Sequence, residues 1–494
     1  MKTKIYLSLL IAFLTWGCQD FLEETSQDLV RPSTVNDLEQ ILLGDGYGSS
    51  TSFYACTDIF TDDMRSDLVH NTLYQEVYDE IKWMYIWDNR MFTDAGSGYY
   101  PCFWEEPYKK ILGCNLVLDN LDEKKGEERL RESLRGETLT LRAWYYLQLV
   151  NFFGKPYNQG DPSMNLGVPL KLDASVTGEF YTRATVAEVY DQIEKDLLEG
   201  NRLLKKYNYN RNFYRIGHLA AKAMLSRLYL YKEDWDKALI YADSVLMEKG
   251  ELLDLNPLQN KIKEFDAGVG TVYAVSTSNE IIWAREVDEA LDYGTSGQGT
   301  GLWTMSPFYV ADDLVVLYGT PTNWQITKKN FADLRSYFYF TWGLTEDAFW
   351  GDDDYPREKI NKQDPSNKLM GIRTAEMYLN RAEAYIRKYL KEGNDSYRIA
   401  ALADLNKLRQ HRFHTNFMEN VDYSGEELLN FYMEERRREL VGETNHRWCD
   451  VRRYGLTITH ELNEEGTEYT KNMGQYTLPI PEQVINQNPG LIQN

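Results

Sequence analysis

The sequence is poor in the residues that hold metals and build disulfide frameworks: six histidines and five cysteines in 494 residues. Cys18, Cys56, Cys102, Cys114 and Cys449 form no CxxC pair and no closely spaced set. That excludes a zinc ribbon, a redox dithiol and a disulfide-stapled miniature fold. His411 and His414 share a helical face but come with no third ligand. Long apolar runs are missing too. Beyond the first residues nothing approaches the roughly eighteen apolar positions of a membrane span. Basic charge is scarce: 54 Lys+Arg stand against 76 Asp+Glu, a net charge of −22. Such a chain repels nucleic acid and bare anionic membrane. The run Gly294 to Gly301 has no Lys-Ser/Thr to make it a phosphate loop, and reads as a flexible segment presenting Trp303.

What is present begins at the N-terminus. Lys2 and Lys4 precede an apolar stretch from Ile5 to Leu14, and Gly17 stands directly before Cys18. This is a signal peptide over 1–17, with Cys18 placed for lipidation and acyl anchoring, although Thr15 stands where Leu is usual. The remainder is long enough for two interlocked lobes, taken as 18–250 and 251–494. Thirty-six Tyr and twelve Trp are the unusual abundance. Their rigid faces with polar tips suit recognition.

Helical periodicity dominates, so the fold class is mostly α. Helices are predicted over about Trp104–Asn120, Arg129–Phe153 and Val186–Leu204, the last with a capping box from Thr185 and Glu188. Trp104 belongs to the core. Gly217–Leu246 reads as a tetratricopeptide-like hairpin, with small residues facing Leu and Tyr across a Lys232–Trp235 turn, and Arg373–Arg409 repeats it loosely. Such units need stacking neighbours. From about 254 to 367 the periodicity fails and only short strand-like pieces such as Glu280–Arg285 stand out. An irregular insertion of that length is a place for function.

Two aromatic clusters fall in irregular sequence. One comprises Trp83, Tyr85 and Trp87, then Asp88, Asn89 and Arg90, then Tyr99 and Tyr100. The other comprises Trp303, Phe308, Tyr309, Trp324, Trp342 and Trp350. Aromatic faces take the C–H faces of sugars while neighbouring polar groups take the hydroxyls. The candidate ligand-binding residues are therefore Trp83, Tyr85, Trp87, Asn89, Tyr99, Tyr100, Trp303, Tyr309, Trp324 and Trp342. Near the C-terminus, Glu434 to Glu439 and His446 to Arg453 crowd arginine beside Trp448 and Asp450. Partly buried bidentate pairs joining two segments are predicted there. Asp352–Asp354 and Asp58, Asp62 and Asp63 offer oxygens without calcium-loop spacing, so a structural calcium ion stays an open alternative and no other cofactor is predicted.

The Glu434–Gly455 run, Arg373–Ala384, Leu141–Gly154, the start Cys18–Glu23 and the ending Tyr476–Glu482 with Asn488-Pro489-Gly490 together resemble the SusD/RagB family across nearly the whole chain. The resemblance implies a lipoprotein on the outer face of the outer membrane, built on tetratricopeptide-like helices. It implies a nutrient-binding role, with an oligosaccharide as ligand or a peptide as the alternative, and a SusC-like TonB-dependent transporter as partner. Binding residues in the family come from the loop before the first repeat helix and from the central insertion. A glycoside-acting enzyme and a pure scaffold are competing classes. No catalytic signature supports the former, since sequence does not place two carboxylates in space.

Overall fold

The computed structural model describes residues 32–47, 57–66, 75–93, 103–207, 212–261, 272–273, 278–284, 308–319, 332–343, 357–360, 362, 371–443, 445–462 and 466–494. The leader with Cys18, the Gly294–Gly301 run and Asp352–Asp354 lie outside the described residues.

In chain order, α1 (Val35–Ile41) runs into a π turn, followed by β1 (Met64–Ser66), α2 (Gln75–Tyr85), α3 (Glu105–Asn120) and α4 (Glu128–Phe153). Next come α5 (Val186–Lys206), α6 (His218–Tyr231) and α7 (Trp235–Glu248). The irregular region holds β2 (Ile281–Trp283), β3 (Phe308–Val310), α8 (Asp312–Val316), α9 (Arg335–Phe338), β4 (Phe340–Gly343) and β5 (Arg357–Ile360). The chain then gives β6 (Ile372–Arg373), α10 (Thr374–Glu392), α11 (Asp395–Gln410), α12 (Gly425–Leu440) and α13 (His446–Arg453). It finishes with β7 (Thr457–Leu462), β8 (Thr467–Asn472) and α14 (Glu482–Gln487). The strands form antiparallel pairs, β1 with β3, β2 with β6, β4 with β5 and β7 with β8. The fold is mostly helical, and among the described residues no helix is long and apolar enough to cross a membrane.

Helix α4 is the central element. Its predicted stripe, Leu134, Thr138, Leu141, Tyr145 and Leu149, is buried, and from Thr140 onward every residue to Phe153 is buried. It lies close against α5 because Gly136 and Gly200 meet: a Cβ on Gly200 would fall 2.9 Å from the Gly136 carbonyl oxygen. Two glycines thus let two backbones touch. The capping box of α5 forms as predicted. Thr185 Oγ1 accepts from the Glu188 amide, and the Glu188 carboxylate accepts from the Thr185 amide at 2.8 Å.

The predicted hairpin is α6 with α7. Buried Ala220, Ala223, Ala238 and Ala242 allow close approach, and Ser226 donates to the Ala238 carbonyl at 3.2 Å. A third layer, α10, packs on both, with Arg227 of α6 forking onto Glu376 of α10 at 2.7 and 2.6 Å. The second hairpin is α10 with α11, close to its predicted span. The largest apolar core gathers residues from both sides of position 250, from Val35 to Leu491. The irregular region has a smaller core of its own around Tyr273, Ile281, Leu314 and Phe338.

Two sets of buried arginine hold these parts together. At the C-terminus of α4 every exposed-end carbonyl finds a distant donor. Trp448 Nε1 and Arg452 donate to Asn151 O, the Leu478 amide donates to Phe152 O, Arg183 to Phe153 O, and Arg452 to Gly154 O. In the second set, Arg373 and Arg412 share Glu280 and Glu439, and Arg335 bridges Asp333 to Glu439. Glu280, Asp333 and Arg335 belong to the irregular region, whereas Arg373, Arg412 and Glu439 belong to the helical frame. The charged C-terminal motif forms the predicted pairs: Arg438 with Glu435 at 2.8 Å and Arg436 with Asp450 at 2.7 Å.

Candidate functional site

The first aromatic cluster sits where α2 ends. The helix closes in a Schellman turn: the Asp88 amide donates to Trp83 O at 2.9 Å and the Trp87 amide to Met84 O at 3.2 Å. The left-handed position of that motif normally belongs to glycine. Here it is Trp87, at φ +54. Holding a bulky residue there costs about 1–3 kcal/mol, so its surroundings must over-determine it.

They do so through His460 of β7. The Tyr85 ring stacks on one face of the imidazole at 4.0 Å and the Trp87 ring on the other at 4.1 Å, both nearly parallel. Trp87 Nε1 donates to Phe60 O at 3.0 Å, and Tyr85 Oη donates to Glu461 O at 3.4 Å while accepting from the Ser66 amide. Both rings are 2% exposed. The sequence placed Tyr85 and Trp87 on a ligand platform. In this structure they are core residues instead, because one face of each ring and its polar atom are already engaged by protein.

The turn leaves a small polar knuckle outside. Trp83 is half-buried, with the Arg90 guanidinium 3.9 Å from its ring centre and Lys82 Nζ at 5.3 Å. Asp88 fixes that guanidinium: Arg90 Nε and Nη2 donate to the two carboxylate oxygens, each at 2.8 Å, and the Arg90 amide donates to Asp88 Oδ1. The Arg90 hydrogen bond holds the Asp88 carboxyl below its ordinary range. Arg90 Nη1 meets no acceptor among the described residues, and Asn89 is exposed. An aromatic ring, an oriented guanidinium edge and a free amide therefore share one surface.

The second cluster reaches the same place. In the β1–β3 ladder Ser66 pairs with Phe308 and Arg65 with Tyr309, and the Phe308 ring packs on Tyr78 at 5.8 Å and on Tyr85 at 5.1 Å. Two regions more than two hundred residues apart in sequence are thereby joined beneath the knuckle. Tyr309 and Trp342 are placed by backbone only, in β3 and in β4, where Trp342 pairs with Glu358. Tyr99, Tyr100, Trp303, Trp324 and Trp350 lie outside the described residues.

Sequence reasoning missed His460. Its signal was the alternation of Ile458, His460 and Leu462 on the buried face of β7. Trp104 is core as predicted, packed on Tyr108 and Phe153. At Asp62 and Asp63, two of the residues offered for calcium, arginines engage the carboxylates. Arg447 takes both Asp62 oxygens at 2.7 and 2.6 Å, and Arg437 takes Asp63 at 2.6 Å. Among the described residues no group of three or more His, Cys, Asp or Glu is arranged to hold a metal. Cys114 and Cys449 are both buried, and burial pushes the Cys449 thiol up to about 11.

Residues 20–230 match a family model described as "Starch-binding associating with outer membrane", and residues 322–494 match one described as "SusD family". The chain is 22% identical to SusD-like protein P25 of Formosa agariphila over 99% of its own length and 98% of the relative. Among solved structures, it is similar to a SusD superfamily protein of Bacteroides vulgatus with TM-score 0.68 and 23% identity, covering 94% of this chain and 99% of that one. A SusD superfamily protein of Bacteroides thetaiotaomicron gives TM-score 0.70 and 23% identity over 93% and 99%. At these identities the structural likeness establishes the fold.

Proposed function

The chain belongs to the SusD/RagB family, and from that premise we propose that it captures an oligosaccharide at the cell surface and delivers it to a SusC-like TonB-dependent transporter. In this reading Cys18 carries the lipid that anchors the protein on the outer face of the outer membrane. The observation that carries the binding role is the knuckle at the end of α2. Trp83 supplies a half-buried ring with the Arg90 guanidinium held 3.9 Å from its centre, Arg90 Nη1 and Asn89 supply hydrogen-bond groups, and Asp88 fixes the orientation of the guanidinium before any ligand arrives. Pre-orientation of this kind lowers the entropy lost on binding. Tyr99, Tyr100, Trp303, Tyr309, Trp324 and Trp342 are the further residues we assign to the ligand. The task is capture without bond cleavage.

Isothermal calorimetry over a panel of neutral oligosaccharides, with a peptide mixture alongside, tests the reading. Trp83→Ala is expected to weaken the bound member at least about tenfold, as loss of an aromatic anchor does. Binding of peptides alone moves the ligand class to the family's other branch. A folded protein that takes neither class, or a Trp83→Ala variant that binds unchanged, overturns it.

A further inference from the structure

His460 faces a carbonyl oxygen from each ring nitrogen: Nδ1 lies 2.5 Å from Tyr85 O and Nε2 2.9 Å from Thr61 O. A neutral imidazole has one N–H and one lone pair, so it donates to one of these oxygens and turns a lone pair onto the other. Only the imidazolium satisfies both. Tyr85 O is moreover a terminal carbonyl of α2, where the helix dipole favours a cation. Two aromatic faces at 4.0 and 4.1 Å add cation–π attraction.

We propose that His460 is a positioning residue for the Trp83–Arg90 turn and that it acts as the imidazolium, tying the end of α2 to the Phe60–Asp62 segment and to the β7–β8 hairpin. The inference rests on the proposed binding role of that turn. His460 touches no ligand. It holds Tyr85 and Trp87, and the strained backbone of Trp87 in turn sets where Trp83, Asn89 and Arg90 stand.

The charged groups around the ring come from each element packed on it. The segment before β1 contributes Asp62 and Asp63, β1 contributes Arg65, and α12 and α13 contribute Arg437 and Arg447, which pair with those aspartates. The end of α2 contributes Tyr85 and the Asp88–Arg90 pair, and the hairpin contributes Glu461 beside the ring and Tyr469 opposite it. Burial is the largest single influence and opposes the charge, while the two carbonyls and Asp62 act upward. The lone-pair clash and the two ring faces add to the upward side. Together the two carbonyls, the helix end and the two ring faces hold the folded pKa above the ordinary histidine value against burial. The latch is then complete at low pH and is lost as pH rises through the folded pKa.

Nitrogen-15 NMR of imidazole-labelled protein reads this without any ligand. The expected result is a His460 with both nitrogens protonated below its transition, and amide protection of Trp87 and Asp88 that falls about tenfold as pH rises through it. His460→Gln is expected to fold and to lose that pH dependence, and His460→Phe to keep the stacking and lose it too. Oligosaccharide affinity of the wild type is expected to follow the same pH profile. A ring that stays a single neutral tautomer from pH 5 to 8, or protection that varies identically in His460→Gln, overturns the proposal. If no ligand binds but the NMR transition and protection appear as described, the binding role fails and the latch stands.

Discussion

Arg452 and Arg373 are both sealed from water, yet their partners are of opposite kinds. Arg452 donates to the carbonyls of Asn151, Gly154 and Tyr476 and meets no carboxylate among the described residues, so burial lowers its pKa to about 10. Arg183 is alike, with carbonyls of Phe153, Leu166, Gly167 and Ile492 around it and a pKa lowered to about 10 by burial. Burial acts downward on Arg373 as well, but Glu443, Glu439 and Glu280 reverse it and hold the guanidinium well above its usual range. The first kind of site uses the partial charges of a helix end and fixes direction. The second uses full charges and fastens the irregular region to the frame. Buried pairs of that kind contribute little net stability when whole and cost heavily when one member is removed.

Acid offers the strongest way to separate the two kinds. Burial, the largest influence, raises Glu383 and Glu435, but Arg453 and Arg335 respectively overcome it, and both settle at about 2. Carboxyls depressed in the folded state contribute stability that is present above about pH 4.5 and is lost as pH falls toward about 2. Nothing in the α4 clamp titrates in that window. Hydrogen-exchange mass spectrometry along the acid series is expected to show α12 opening while residues 148–153 remain protected. The reverse order breaks the distinction.

A smaller effect is expected from Glu439→Gln, which leaves Arg335, Arg373 and Arg412 short of one shared charge. Urea unfolding is expected to show a loss of about 3–5 kcal/mol. Smaller again, Arg452→Met orphans terminal carbonyls but removes a cation that had no counter-charge. A loss of about 1–3 kcal/mol is expected in the same assay. If Arg452→Met proves the more damaging, the helix-end clamp and not the ionic lattice is the principal fastening.

Local chemistry was legible in the sequence and distant chemistry was not. The capping box at Thr185 and Glu188, the α6–α7 hairpin and the core position of Trp104 depend on residues a few positions apart, so periodicity and composition reveal them. The Glu435–Arg438 pair was readable for the same reason, whereas Arg436 meets Asp450 from fourteen positions away. Of the first aromatic cluster, Trp83 is half-buried and Asn89 exposed, whereas Tyr85 and Trp87 lie in the core. What takes those two rings inward is His460, 375 positions away. Alternation in β7 indicates that His460 points inward, but no local pattern says against what. Asp62 and Asp63 were opaque likewise, their arginines lying 385 and 374 positions on.

The clamp on α4 also fixes an order of events. Trp448 reaches Asn151 across 297 intervening steps of chain, and the Leu478 amide closes on Phe152 from farther still. Contacts so remote form slowly, because a long tether must first be drawn together. The central helix therefore waits with a frayed end until almost the whole polypeptide has gathered. A nascent or clipped chain ending before Trp448 has its middle without a lid, and that is the species a chaperone would meet.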